Sequence, residues 1–240
     1  MESKLKVTLI NPEEVIQLFP TWGDFSSICY DTTTPNPETI GKACLKSEHF
    51  SGSRWRYIAF RIENCPRFVI DQAVRHEQGV IKNVQSFRYV DKNNFNYAIP
   101  EDIKDDDDLV AEYYYHMRDT LRLYNKIQTH VQYNTKNAER ANEQARYVLP
   151  MATQSAVSIA FTPEALIHYC HKRLCSRTED KHRELAKLIK EETIKILPYL
   201  KDYLVPQCQY LMWCPEHKSC GAYPSKKELK SILKEKKNES

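Results

Sequence analysis

At 240 residues the chain can bury a sizeable core, as one large domain or two small ones, and its 41% hydrophobic and 28% charged residues are globular values. Net charge is +3 with the signs interspersed, so no nucleic-acid partner is expected. No apolar run is long enough to span a membrane, and Met1-Glu-Ser-Lys-Leu-Lys is too polar for a signal peptide, so no membrane partner and a cytoplasmic location are expected. Eight cysteines in such a chain point to reduced thiols or a metal rather than a disulfide framework.

Lys6 to Ile10 is a short strand candidate. Asn11-Pro12-Glu-Glu then starts a helix, with Asn11 as cap, Pro12 at the first helical position and acids in the first turn. Thr34-Pro-Asn-Pro-Glu opens a second helix through Ile40, Ala43 and Leu45. Arg54 to Ile62 reads as a strand with apolar residues on both faces, Ile58, Phe60 and Ile62 against Trp55, Tyr57 and Ala59, which suggests a central position. Pro66 opens a helix that ends near His76, and Phe87 to Val90 is the next strand candidate. The acid run Asp105 to Asp108 suits a helix N-terminus. From Leu109 to Tyr133 apolar residues recur at three- and four-residue steps, the mark of a long amphipathic helix. Ala138 to Tyr147 is a further helix and Ala152 to Phe161 a strand. Thr162 caps a helix with Pro163 at its first position, and Glu179 to Leu197 forms another. Ser225-Lys-Lys-Glu228 is a capping box for a last, lysine-rich helix. No repeat and no linker divides the chain, which reads as one mixed α+β domain.

The densest polar stretch is Gln72 to Val90. It gathers Gln72, Arg75, His76, Glu77, Lys82, Asn83, Gln85, Ser86, Arg88 and Tyr89 between apolar segments, a set suited to an anion with polar edges such as a nucleotide. Five scattered glycines allow neither G-x-G-x-x-G nor G-x-x-x-x-G-K, so side chains and helix ends must hold any such ligand. Ordinary salt bridges around a solvated loop are the bland alternative for this stretch alone.

Arg75-His76-Glu77, eight residues, then Ser86-Phe87-Arg88-Tyr89 resembles the signature of flavin-dependent thymidylate synthases (ThyX type), R-H-R followed by S-x-R-Y. Other segments resemble that family in the same order. They are His49-Phe-Ser51, Glu143-Gln-Ala-Arg146-Tyr-Val-Leu-Pro150, the helix from Ala165 through His168 and Arg173 to Arg177, and the tail Cys214-Pro-Glu-His-Lys-Ser-Cys220-Gly. The resemblance implies a twisted, mostly antiparallel sheet flanked by helices, with residues 1–221 as catalytic domain and 222–240 as a lysine-rich helical tail. It also implies a homotetramer with shared active sites, reductive methylation of deoxyuridine monophosphate (dUMP) at C5, FAD and NADPH as redox cofactors, and 5,10-methylenetetrahydrofolate as carbon donor.

Residue by residue, the resemblance assigns dUMP to Gln72, Arg75, Ser86, Phe87, Arg88, Glu143, Arg146 and Arg173, with Arg173 and Ser86 as catalytic residues. It assigns FAD to Arg75, His76, Glu77, Asn83, Thr162 and His168, with Arg177 as a further candidate. The flavin side departs from the family pattern in charge: Glu77 stands for an arginine, Thr162-Pro163-Glu164 for Asn-x-Arg, and Arg54-Trp55 for a Glu-His pair, although Arg54 offers a compensating charge. Cys208, Cys214, His217 and Cys220 form either a tetrahedral zinc set or an ordered loop of free thiols. Cys170 reads as core. Two other functions stay open: a divergent relative that modifies a pyrimidine nucleotide differently, for example by hydroxymethylation, and a non-catalytic nucleotide-binding or zinc-stabilised assembly protein.

Overall fold

The computed structural model describes residues 3–33 and 35–238. Thr34, at the expected start of the second helix, lies outside the described residues, as do the outermost residues of the 1–221 and 222–240 division. Four strands, β1 (Lys6–Leu9), β2 (Ile58–Pro66), β3 (Val80–Val84) and β4 (Gln154–Phe161), form an open antiparallel sheet in the order β1-β2-β4-β3. The helices are α1 (Pro12–Ile16), α2 (Leu18–Ile28), α3 (Pro37–Lys46), α4 (Arg67–Ala73), α5 (Asp107–Thr135), α6 (Ala138–Ala145), α7 (Pro163–Arg173), α8 (Asp180–Ile196), α9 (Gln207–Leu211) and α10 (Lys226–Asn238). The α+β class expected from the sequence is what forms, and among the described residues no helix is long and apolar enough to cross a membrane.

Two compact units share the chain. One comprises residues up to Lys6, Ile62–Arg75 and Lys82–Ser158; the other comprises Val7–Arg61, His76–Ile81 and the residues from Ile159 onward. In the first unit α5 organises what surrounds it. Asp106 caps it by accepting from the Leu109 amide, Asp107 and Asp108 occupy its first turn, and Lys136 ends it in the left-handed region at φ 55°. Met117 and Tyr124 are its buried residues. Its polar groups hold the segment 91–98: the Tyr113 hydroxyl donates to the Ala98 carbonyl at 2.9 Å, and Gln128 donates to Asp91 at 2.8 Å. Of the three successive tyrosines Tyr113, Tyr114 and Tyr115, Tyr113 is therefore a packing residue, while Tyr115 is exposed.

In the second unit α2 and α3 approach closely enough that a Cβ on Gly41 would stand 2.2 Å from the Phe19 carbonyl oxygen. The helix α7 is built as its sequence predicts, with Thr162 accepting from the Ala165 amide at 3.3 Å and Pro163 at the first position. On α8 the residues His182, Leu185, Ala186, Ile189 and Thr193 repeat at helical spacing and are buried.

Several expected boundaries are corrected. The strand expected over Arg54–Ile62 begins only at Ile58 and runs to Pro66; Arg54 sits instead on a 3-10 turn over Ser51–Trp55. Ile58, Phe60 and Ile62 are buried as expected, but Trp55 is exposed. Phe87–Val90 is not a strand. The strand is Val80–Val84, and Ser86–Tyr89 is a turn closed by the Val90 amide on the Ser86 carbonyl at 3.0 Å. The helix after Pro66 stops at Ala73, so Arg75 and His76 lie in the loop beyond it. The sequence pattern also missed α2 as a separate helix: Gln17 breaks it from α1, and the Asn11 side chain, expected to cap, bonds Tyr57 and Ala59 instead.

Candidate active site

In the first unit, Ser86, Phe87 and Arg146 come together on the wall of a cavity of about 480 Å3. Arg67, Gln85 and Tyr147 share that wall; Gln85 belongs to the polar stretch singled out in the sequence, whereas Arg67 and Tyr147 were given no role there. Gln85 is fixed by its amide on the Ala156 carbonyl at 2.9 Å, and its side-chain oxygen accepts from Lys92 at 2.9 Å and Ser155 at 3.3 Å. The Phe87 ring is flanked by two cations, Arg67 at 5.6 Å and Lys92 at 4.8 Å from its centroid. Burial lowers the Lys92 pKa. Arg67 is held by Asp71 at 2.9 Å, whereas Arg146 is exposed and has no ion-pair partner among the described residues. A cavity wall with an uncommitted guanidinium, a hydroxyl and an aromatic face suits a phosphorylated planar ring.

Arg88 does not line that cavity. Its guanidinium pairs with Glu139 at 2.6 Å and Glu143 at 3.2 Å, and its amide donates to the Ser86 hydroxyl at 3.2 Å. Glu139 was not foreseen, yet it lies four residues before Glu143 on α6 and so shares its face. Gln72 sits in the last turn of α4, Arg75 is exposed just beyond it, and Asn83 is exposed on β3.

Arg173 belongs to the second unit. Its Nε donates to His76 Nε2 at 3.0 Å, which places the proton of a neutral His76 ring on Nδ1. The His76 ring meets Tyr169 edge-on at 5.1 Å, and the Tyr169 hydroxyl shares a hydrogen bond of 3.1 Å with His182 Nε2. His182 is fully buried, and its pKa is pushed down to about 3, first by burial and then by the charges of Arg173 and His76. Neither Tyr169 nor His182 was singled out in the sequence; no local pattern distinguishes them from ordinary helix residues.

On the flavin side, Thr162 is 3% exposed, its hydroxyl caps α7 and its amide donates to the Gly79 carbonyl at 2.8 Å. Glu77 and His168 are exposed. The two charge departures noted separately in the sequence meet: Arg54 Nε and Nη2 both donate to Glu164 Oε2, at 3.2 and 3.1 Å. Beside them Trp55 stacks on Phe25, centroids 4.4 Å apart and planes 7° from parallel. This pairing bears on whether the chain suits FAD, whose phosphates need positive surroundings. Within the second unit Arg54 neutralises Glu164 and His168 is exposed, and within the first Arg75 and Asn83 are exposed; the charge and polarity of these residues fit the cofactor.

All eight cysteines are free thiols, and Cys170 is core as expected, with burial raising its thiol to about 12. As placed, no three His, Cys, Asp or Glu side chains among the described residues stand close enough to hold a metal ion. Cys208, Cys214 and Cys220 do line one cavity of about 180 Å3, but its fourth thiol is Cys175, and His217 is not among its lining residues.

An open antiparallel sheet flanked by helices, with a cavity beside a Ser-Phe-Arg turn that suits a phosphate, defines an α+β protein with a candidate nucleotide site. A crystal structure of a UMP/dUMP methylase, PolB, from Streptomyces cacaoi bound with 5-Br dUMP has the same fold; it matches with a TM-score of 0.61 at 17% identity, over 84% of this chain and 94% of that one. The family described as thymidylate synthase complementing protein matches residues 20–199. The flavin-dependent thymidylate synthase of Nitratidesulfovibrio vulgaris is 31% identical over 77% of this chain and 76% of its own length. That of Thermococcus kodakarensis is 32% identical over 90% and 91%. The chain belongs to the flavin-dependent thymidylate synthase family.

Proposed function

We propose that the protein converts dUMP to dTMP by flavin-dependent reductive methylation. One observation carries the reading beyond family membership: the cavity that sets Ser86, Phe87 and the uncommitted Arg146 on one wall. In the net reaction dUMP, methylenetetrahydrofolate, NADPH and a proton give dTMP, tetrahydrofolate and NADP+. C5 of the uracil gains the methylene carbon and loses its proton, and FAD, once bound and reduced by NADPH, would supply the hydride that completes the methyl group.

The chain's own part is binding, orientation and electrostatics. Arg146 and the Ser86 hydroxyl hold the phosphate, Phe87 packs against the nucleotide, and Gln72, Arg75, Arg88 and Glu143 complete the nucleotide set. Arg173 acts on the uracil carbonyls and supports the charge that develops as C5 attacks. His76 anchors Arg173 through Nε, which fixes the plane of the guanidinium. Arg75, His76, Glu77, Asn83, Thr162 and His168 make up the flavin side, with the caps and pairs described above setting its backbone and charge. Residues 1–221 work as the catalytic module, 222–240 as an appended lysine-rich tail, and the working form is a cytoplasmic homotetramer with shared active sites.

Titration of FAD into the purified protein, followed by its visible spectrum, tests this reading. Bound FAD that NADPH bleaches in the absence of air supports it. Protein that binds dUMP but no flavin contradicts it and favours a relative that kept the nucleotide site alone.

A further inference from the structure

The three cysteines Cys208, Cys214 and Cys220 are spaced at equal six-residue steps, and the fold returns them to a fourth, Cys175, just past the end of α7. All four line the same cavity of about 180 Å3. Burial, and after it the thiols of Cys175, Cys214 and Cys220, raise the pKa of the Cys208 thiol, so each of these three stands near Cys208. A fifth candidate donor, His171, lines the same cavity; its Nε2 is buried with no hydrogen-bond partner, while the Tyr203 carbonyl holds its other ring nitrogen.

The segment that carries Cys214 and Cys220 has little else to order it. Met212 at φ 60° and Gly221 at φ 85° turn the backbone, and the Cys214 amide bonds the Pro224 carbonyl at 2.8 Å. Arg177 reaches over to the Lys218 carbonyl at 3.0 Å and to Glu216 at 3.5 Å. The stretch lies outside helices, with Met212 61% exposed and Glu216 to Gly221 all exposed.

We propose that Cys175, Cys208, Cys214 and Cys220 form a structural Zn2+ site that clamps the 212–225 segment to the end of α7. Four thiolates are the closed, tetrahedral donor set of structural zinc, with no position left for substrate. In the present arrangement the thiols ring the cavity without converging, so metal binding includes their closure on the ion. His217, the imidazole that the spacing of the tail suggested, is outside the set. This site is independent of the dUMP reading, and its test reads metal, not turnover.

The experiment is metal analysis of the untagged, reduced full chain, with Co2+ exchange and cysteine alkylation mapped by mass spectrometry. One zinc per chain is expected, and the Co2+ form should show sulfur-to-cobalt charge transfer with the intense d–d bands of tetrahedral thiolate coordination. Zinc should protect Cys175, Cys208, Cys214 and Cys220 together, a chelator should expose them together, and the exposed Cys29 should react throughout. Cys175→Ser should weaken zinc binding about 100-fold or more, beyond the typical effect of an outer-shell change, while His217→Ala leaves it unchanged. The proposal is overturned by alkylation of these four thiols regardless of zinc, by disulfides among them in the reduced chain, or by His217→Ala losing the metal while Cys175→Ser keeps it. The alkylation map needs no variant, so misfolding of Cys175→Ser would not leave the question open.

Discussion

At the scale of single residues, two of the guanidinium groups proposed to hold dUMP stand in opposite conditions. Arg146 has no ion-pair partner among the described residues, while Arg88 is engaged by Glu139 and Glu143. Removing Arg146 deletes a charge-assisted contact to phosphate, worth about 1.5–3 kcal/mol. Arg146→Ala is therefore expected to raise the dUMP dissociation constant by about 10- to 100-fold in calorimetric titration. An unchanged constant removes Arg146 from the phosphate site. His182 gives a second expectation. Its folded pKa of about 3 lies below the ordinary 6.5, so it is buried neutral and contributes stability above pH 6.5 that is lost as pH falls toward 3. Each pH unit in that window costs up to about 1.4 kcal/mol through this one group. Denaturant melts of His182→Gln should show a shallower loss of stability between pH 6.5 and 4 than the parent chain; equal slopes would place the acid sensitivity elsewhere. Most nucleotide candidates were legible because arginines and a hydroxyl recur in a fixed motif order. Arg67, Tyr169 and His182 were not, since only the tertiary fold brings them to a cavity or a buried hydrogen bond.

At the scale of elements, the loop before β3 depends on one backbone angle. Gly79 sits at φ 68°, and a Cβ there would stand 2.4 Å from Thr162 Oγ1, the atom that caps α7. Gly79→Ala therefore combines a left-handed conformation with a clash against the helix cap. A destabilisation of about 1–3 kcal/mol is expected, seen as a fall in Tm of about 2–4 °C for each kcal/mol in a chain of this length. A Tm within 1 °C of the parent would show that the loop relaxes without cost. Helix starts were legible here, because Asp106, Thr162 and Pro163 are local signals acting within one turn. The Ser86–Tyr89 segment was misread as a strand. Phe87, Tyr89 and Val90 carry strand propensity, but the bonds to Ser86 fold the backbone into a turn.

At the scale of the whole molecule, α5 leaves one side open. Tyr115 and Tyr133 are 59% and 74% exposed, and their spacing is a whole number of helical turns, so they share a stripe. With Met117 and Tyr124 facing inward, that stripe lies on the opposite side of the helix. We propose that it contributes to the tetramer interface, for which aromatic residues beside Arg118 and Lys136 are well suited. Light scattering should give four chains for the parent and a smaller species for the double variant Tyr115→Glu/Tyr133→Glu; a tetramer in both would place the interface on another face. The α+β class was readable from strand and helix signals along the chain and the antiparallel sheet from the family resemblance, but the order β1-β2-β4-β3 was not, because it depends on pairings between segments far apart in sequence.

The most direct test incubates the purified chain with dUMP, methylenetetrahydrofolate, NADPH and FAD without oxygen, and follows the nucleotide by mass spectrometry. The expected result is dTMP that forms only when FAD is present and that drops sharply in Arg173→Ala. Unmodified dUMP under these conditions, or a hydroxymethyl nucleotide in place of dTMP, would contradict flavin-dependent methylation as the function of this protein.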